Sequence, residues 1–336
     1  MKAAVITEHG GPGSIQVQND FPDPRPGPQE VVIEVGATSL NYHDIFTRRG
    51  MPGIKVPMPC IMGLDFAGTI VELGSEVQGW RTGDRVLIDP VDRQGPGGLI
   101  GEMWHGGLAE RCKVPVHHLV RLPDTVSFEH AACLPVAYGT ALRMMYTIGE
   151  IESGQKVLIL GASGGVGTCC VLLAKARGAE VIACASTTDK LARLKTMGAD
   201  HVVNYQEEDF VKWVYANFGK PHRRQFEKGV DVVVNFTGGE TWVPSLKVLH
   251  RGGKVLTCGA TAGFDPKEDL RYVWTFELKI LGANGWLREE LETLVQMVAD
   301  GSLVPIIDRQ LPLEEVNEAF RLLEEREVFG KVVLTP

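Results

Sequence analysis

The sequence predicts an α/β chain: a doubly wound parallel sheet of six strands joined to a second, mainly β domain. Three observations carry this. Residues 156–160 form a short aliphatic run between Gln155 and Gly161, read as a buried strand, and after Gly167 the apolar positions recur at helical spacing. Downstream, β-branched runs and helical segments alternate to about Asn284, the pattern of a parallel sheet covered by helices on both faces. Upstream, residues 1–124 show no long helical pattern but short β-branched runs cut by glycine and proline.

In the first part the strand candidates are 31–35, 66–71 and 85–88, and the proline-rich 21–28 is an extended surface connection. This part ends at Leu122-Pro123-Asp124, and 128–146 has an alanine-rich helical texture. After the strand at 156 come strands at 181–184, 201–204, 230–235, 254–257 and 278–282. Helices are expected at 189–197 and 210–216, and a third is expected to run through 246–250 and stop at Gly252-Gly253. The basic stretch 218–225 reads as a solvated loop. The tail carries an amphipathic helix, 289–299, stopped at Gly301, and a second helix after Pro312. A last strand, 331–334, has no neighbour in the six-strand series and is expected to return to the first domain. The domains are therefore 1–124 with 285–336, and 125–284.

The chain has 336 residues, 44% hydrophobic and 23% charged, and a formal net charge of -8. That balance argues against a general nucleic-acid binder, which needs a basic face. No apolar run approaches a membrane span and the N-terminus does not read as a signal peptide, so a cytosolic setting is expected. Seven cysteines without a C-x-x-C pair read as reduced, mostly buried thiols.

The turn between the strand at 156 and its helix carries Ala162-x-Gly164-x-x-Gly167, a G-x-G-x-x-G pattern with alanine first and Gly161 just before it. Between a strand and a helix, such a turn brings backbone close to a ligand and points amide groups of Gly164, Gly165, Val166 and Gly167 at a phosphate. A dinucleotide is the expected cofactor. About twenty residues on, where an NAD site carries Asp or Glu, the chain reads Ala185-Ser186-Thr187-Thr188-Asp189-Lys190. Without a carboxylate at the strand tip a 2′-phosphate is tolerated, and Ser186, Thr187 and Lys190 offer donors, so NADPH is favoured over NADH. Helix capping by Ser186, Thr187 or Thr188 is the competing reading.

Asn41-Tyr42-His43-Asp44, Gly63-Leu64-Asp65-Phe66-Ala67-Gly68, Gly83-Asp84-Arg85-Val86, Gly106-Gly107-Leu108-Ala109-Glu110, the glycine turn and Phe329-Gly330-Lys331-Val332-Val333 extend the pattern over the whole chain. On these motifs the chain resembles the medium-chain dehydrogenase/reductase superfamily, in its zinc-free quinone oxidoreductase and enoyl reductase branch. The resemblance implies a GroES-like domain packed on a Rossmann domain, an active site in the cleft, and a homodimer through the last Rossmann strand. It places Asn41, Tyr42 and His43 at the reacting groups. Thr140, Ala162, Ser163, Tyr205 and Lys331 join the cofactor residues. Asp44 reads as the cap of a short helix at 45–48, Asp65 as a turn or orienting residue, and Trp104 and His105 as cleft wall.

The resemblance also shows where alcohol-dehydrogenase features are lost. Its catalytic zinc positions correspond to Asn41, Leu64 and the neighbourhood of Ala132, and the four-cysteine lobe shrinks to 91–98 with no cysteine. No metal is expected; an improvised set of His43, Asp65 and Cys133 is the alternative. Oxidising a plain alcohol needs a Lewis acid or strong base, whereas hydride addition to a quinone or conjugated carbonyl leaves charge on a delocalised oxygen that hydrogen bonds can hold. The expected activity is NADPH-dependent reduction of a small quinone or α,β-unsaturated carbonyl compound. The alternatives are an enoyl-CoA or acryloyl-CoA reductase, with Arg48, Arg49 and Lys55 as a phosphate strip, a zinc alcohol dehydrogenase, and a non-catalytic NADPH-binding protein.

Overall fold

The computed structural model describes residues 1–52 and 55–336. The chain divides into two units, Met1–Ala137 with Arg288–Pro336, and Tyr138–Leu287. Among the described residues no helix is long and apolar enough to cross a membrane.

The first unit is built on a seven-stranded sheet. Ile307–Pro312, Lys331–Thr335, Glu30–Ser39, Asp65–Leu73, Arg85–Ile88 and Leu119–Arg121 lie side by side, and Arg111–Pro115 also pairs with Glu30–Ser39. Ile33, Phe66, Ile70, Val86 and Val114 fill one core of this unit. A smaller sheet, Gln16–Gln18, Ala3–Ile6 and Cys60–Ile61, packs its apolar residues with Ile45, Leu313 and Phe320. The C-terminal strand pairs antiparallel with Glu30–Ser39, Val333 opposite Ser39. Ser39 in turn lies opposite Asp65. This register decides which polar side chains meet, because a slip of one residue would turn each side chain to the opposite face.

The second unit is a six-stranded, all-parallel sheet in the order His201–Asn204, Glu180–Ala185, Lys156–Ile159, Val230–Val234, Leu249–Thr257, Lys279–Gly282. Val157, Leu158, Ile159, Val232, Val233 and Val234 are fully buried. Near-continuous aliphatic runs are what a sheet covered on both faces requires. The strand order reverses between Lys156–Ile159 and Val230–Val234, the switch point at which such sheets take ligands.

Three of the expected elements come out differently, and strands such as Arg111–Pro115 and Ile307–Pro312 are additional to those expected. The helix expected to end at Gly252-Gly253 stops at Val248, and a strand starts at Leu249, opposite Val230. Its register shifts between Val230 and Val232, and Gly252 has a φ of +84°, so the glycine pair sits in a strand irregularity rather than closing a helix. The region 128–146 is Phe128–Ala132 followed by wider-wound turns over Leu134–Gly139 and Arg143–Ile148, a local departure that 3.6-residue periodicity does not reveal. The short helix runs Tyr42–Arg49 with Asn41, not Asp44, at its N-cap.

Candidate active site

In the second unit the strand Lys156–Ile159 leads to Gly161, whose φ of +64° suits glycine. The helix Gly165–Ala176 follows, with Gly164 as its N-cap and no side chain closing its first turn. Helix geometry leaves the N–H groups of Gly165, Val166 and Gly167 without intrahelical partners, and the helix dipole adds positive potential there. A Cβ on Gly167 would collide with the Gly161 carbonyl, so the close approach of helix and turn depends on glycine. A Cβ on Gly164 would meet nothing nearer than Gly161 O at 3.6 Å. The turn is open above Gly164, and its donors fit a dinucleotide pyrophosphate. Ala162 is buried beside it, its N–H donating to Cys184 O at 3.1 Å, and Ser163 is half-buried.

The strand Glu180–Ala185 ends at buried Ala185, followed by half-buried Ser186 and exposed Thr187. Thr187 is the N-cap of the helix Thr188–Thr196 and its Oγ1 accepts from the Lys190 N–H at 3.3 Å. That contact uses a lone pair and leaves the hydroxyl proton to donate. Tyr205 is brought to the same place: its N–H donates to Ala185 O at 3.2 Å and its ring is exposed. Thr140 is buried at the start of Thr140–Leu142.

In the first unit the register described above gathers a buried polar centre. Lys331 Nζ donates to Leu40 O at 2.8 Å and Asn41 Oδ1 at 2.5 Å, and lies 3.6 Å from Asp65 Oδ2. Asn41 Nδ2 donates to Asp65 Oδ2 at 2.8 Å, and the Val136 N–H donates to the same carboxylate at 3.1 Å. The Asn41 N–H donates to Asp44 Oδ2 at 2.8 Å, so Asp44 closes the first helical turn from its third position. Burial pushes the Asp65 carboxyl up to about 7 against the pull of Lys331 and Asn41, and the Asp44 carboxyl up to about 6. Lys331, expected at the cofactor, thus has all the partners named here inside the first unit. Its ammonium and Asp65 together hold the amide of Asn41, which keeps one Nδ2–H to offer.

Tyr42 is half-buried with its ring edge-on to Phe46, 5.3 Å between centroids. His43 turns instead to Glu102: His43 Nε2 and Glu102 Oε2 are 2.6 Å apart, and Thr47 Oγ1 reaches the same oxygen at 3.3 Å. Burial opposes the charged imidazolium, but the hydrogen bond and charge of Glu102 prevail and raise the pKa of His43 above its ordinary value. Glu102 is missing from the sequence reading. Its one signal was an acidic residue placed between Gly101 and Met103-Trp104; the tight turn from Leu99 to Met103 presents it. Trp104 and His105 are exposed and line a cavity of about 850 Å³ within this unit.

The improvised metal set does not assemble. His43 is engaged with Glu102, Asp65 with Asn41, Val136 and Lys331, and Cys133 donates its thiol hydrogen to Glu129 O at 3.2 Å. Burial pushes the Cys133 thiol up to about 12, so it is no thiolate, and Leu64, fully buried, has no donor atom. The phosphate strip is also altered. Arg48 is buried, and both Arg48 and Arg49 reach Glu324 Oε1, at 2.6 and 2.5 Å.

A glycine cradle at the switch point of a doubly wound sheet, in a chain with a separate β unit centred on buried polar side chains, defines a two-unit dinucleotide oxidoreductase. Residues 27–124 match the family model of the alcohol dehydrogenase GroES-like domain, and 165–300 that of the zinc-binding dehydrogenase. The acryloyl-coenzyme A reductase of Sulfurisphaera tokodaii is 30% identical over 100% of both chains. The quinone oxidoreductase of Pongo abelii is 28% identical over 99% of this chain and 97% of its own. A crystal structure of an NAD-dependent alcohol dehydrogenase, 36% identical over 100% of both chains, superposes with a TM-score of 0.91. The chain belongs to the medium-chain dehydrogenase/reductase superfamily and is an oxidoreductase.

The cradle makes one expectation specific. Because the Gly164 Cβ position is open, Gly164→Val should fold with an unchanged melting temperature while NADPH binding, followed by nucleotide fluorescence, weakens at least about tenfold, 1.4 kcal/mol. Unaltered affinity in the folded variant would remove the turn from the phosphate site.

Proposed function

We propose that the protein transfers hydride from NADPH to a small conjugated acceptor, a quinone or an α,β-unsaturated carbonyl compound, without a catalytic zinc. The observation that carries this reading is the state of Asn41. At the position where the resemblance puts the first metal ligand stands an amide whose oxygen is held by Lys331 and one of whose N–H groups is held by Asp65. With Leu64 and the neutral Cys133 thiol at or beside the other positions, the donor set suits hydrogen bonding to an oxygen that gains charge, not a Lewis acid.

Bound NADPH supplies the hydride. Asn41 donates its remaining Nδ2–H to the developing enolate or phenolate oxygen. His43, whose pKa the hydrogen bond and charge of Glu102 raise, presents Nδ1–H as the proton source in its protonated form. Tyr42 shapes the same surface with Phe46. Gly164, Gly165, Val166 and Gly167 hold the pyrophosphate, with Ala162 and Ser163 beside them, and Thr140 is assigned to the nicotinamide end. Ser186, Thr187, Lys190 and Tyr205 take the 2′-phosphate, supported by the lack of a carboxylate at the tip of Glu180–Ala185. Lys331 is assigned to positioning Asn41 rather than to the dinucleotide.

Two further parts of the proposal concern the setting. The edge strand Lys279–Gly282, with exposed Ile280, Leu270, Trp274 and Phe264 in the same unit, supports pairing of two copies. All seven cysteines are unpaired, which fits a reducing, cytosolic setting.

The acryloyl-CoA relative favours a second reading, an enoyl-CoA reductase. The pairing of Arg48 and Arg49 with Glu324 weakens it by occupying two of the three expected phosphate contacts. Steady-state assays in chelator, with NADPH or NADH against a quinone, an enone and an enoyl-CoA, and with NADP⁺ or NAD⁺ against simple alcohols, test both. We expect turnover with a quinone or enone and a kcat/KM for NADPH at least about tenfold above NADH. Alcohol oxidation that requires added zinc, or tight NADPH binding with no turnover of any acceptor, would overturn the proposal.

The proton source has its own signature. His43→Gln should lower kcat/KM roughly 10²-fold. Activity should fall as pH rises through the raised His43 pKa, since the protonated form is the donor. Glu102→Gln removes the charge that raises it, so the falling limb should move to lower pH. A limb that stays in place in Glu102→Gln would take His43 out of the chemistry.

A further inference from the structure

Outside the site described above, the first unit brings together Asp92, His117 and His118, one ligand atom from each lying within 4.8 Å of the others. Among the described residues it is the one group of three or more metal-competent side chains. None of its members corresponds to the catalytic zinc positions of the resemblance, and it contains no cysteine. Asp92 and His118 are buried, His117 is half-buried, and all three contribute to the wall of the cavity of about 850 Å³.

The surroundings prepare each donor. His118 Nδ1 lies 2.7 Å from Asp89 O; a carbonyl only accepts, so Nδ1 carries the hydrogen and Nε2 keeps its lone pair. The Asp92 carboxylate is aimed by backbone N–H groups, Gln94 and Gly95 to Oδ1 at 3.1 and 2.8 Å and Gly97 to Oδ2 at 3.3 Å. A histidine whose other nitrogen donates to a carbonyl and a carboxylate held by hydrogen bonds are the supporting contacts usual for metal ligands. His117 Nε2 and Asp92 Oδ1 are 3.1 Å apart, close to the roughly 3.3 Å between two ligands bound 2.0–2.1 Å from one tetrahedral ion. The turn Val116–His118 puts the two imidazoles side by side, 4.3 Å between ring centroids. Side-chain rotation of His118 or His117 would bring the three donors, now within 4.8 Å of one another, to ligand spacing.

We propose that Asp92, His117 and His118 form a binding site for one zinc ion, separate from the hydride-transfer centre, with its fourth position facing the cavity. Two imidazoles and one carboxylate suit zinc, whereas calcium and magnesium prefer all-oxygen sets. With three protein ligands the ion keeps a position for water or an anionic ligand in the cavity.

Tag-free full-length protein, loaded with zinc, dialysed against metal-free buffer and measured by elemental analysis, tests this. The expected result is about one zinc per chain, and cobalt loading should give visible ligand-field absorption of a four- or five-coordinate site. His117→Gln, at a half-buried position, and Asp92→Asn, which keeps one acceptor oxygen for the Gln94 and Gly95 N–H groups, should each lower retained zinc at least tenfold with the fold intact by circular dichroism. His43→Gln and Cys133→Ser should retain it. Background zinc in the wild-type protein, equal retention in His117→Gln and Asp92→Asn, or loss in His43→Gln or Cys133→Ser would each overturn the proposal.

Discussion

The structure of the first unit depends on one buried interaction, the contact of Lys331 with Asp65 and Asn41. Its members come from the C-terminal strand, the strand Asp65–Leu73 and the cap of a helix, and Val136 adds its N–H from a fourth segment. The sheet register makes the meeting possible: Val333 lies opposite Ser39 and Ser39 opposite Asp65, so continuing the antiparallel pairing brings Lys331 alongside Asn41. Burying a lone ammonium or carboxylate costs several kcal/mol, so each partner makes the others tolerable. Burial pushes the Asp65 carboxyl up to about 7 although Lys331 and Asn41 pull it down.

That constraint links folding to chemistry. An asparagine side chain on a surface rotates freely, whereas here both ends of the amide are held and a single N–H is left. Donors fixed before the reaction stabilise a developing oxyanion without reorganisation. The same unit holds His43 by a charged partner, Glu102, from a different segment. Both contacts hold a polar side chain in place by pairing it with an oppositely charged or hydrogen-bonding partner from a distant segment. Fold alone does not choose the acceptor, so substrate assignment rests on these side chains.

Much of the molecule was legible in the sequence because its signals are local. The strand at 156, the glycine turn and its helix occupy consecutive residues, and all six strands of the parallel sheet show as aliphatic or β-branched runs. The return of the C-terminal strand could be read because 331–334 had no partner in that series. What was not legible depends on distant pairs. Glu102 has meaning only beside His43, the burial of Arg48 only beside Glu324, and Asp92 as a ligand only beside His117 and His118. The misplaced ends have local causes of another kind: Asn41 starts its helix earlier than Asp44 suggested, and Leu249 enters a strand before the glycine pair that resembles a helix stop.

The most direct measurement is a double-mutant cycle on the buried interaction, with Asp65→Ala, Lys331→Met and the double variant unfolded in denaturant. Each single substitution strands a buried charge or amide and is expected to cost about 3–5 kcal/mol. The double variant should be no less stable than the worse single one, a coupling of more than about 2 kcal/mol. Costs that add to within about 0.5 kcal/mol would contradict the claim that this contact organises the unit.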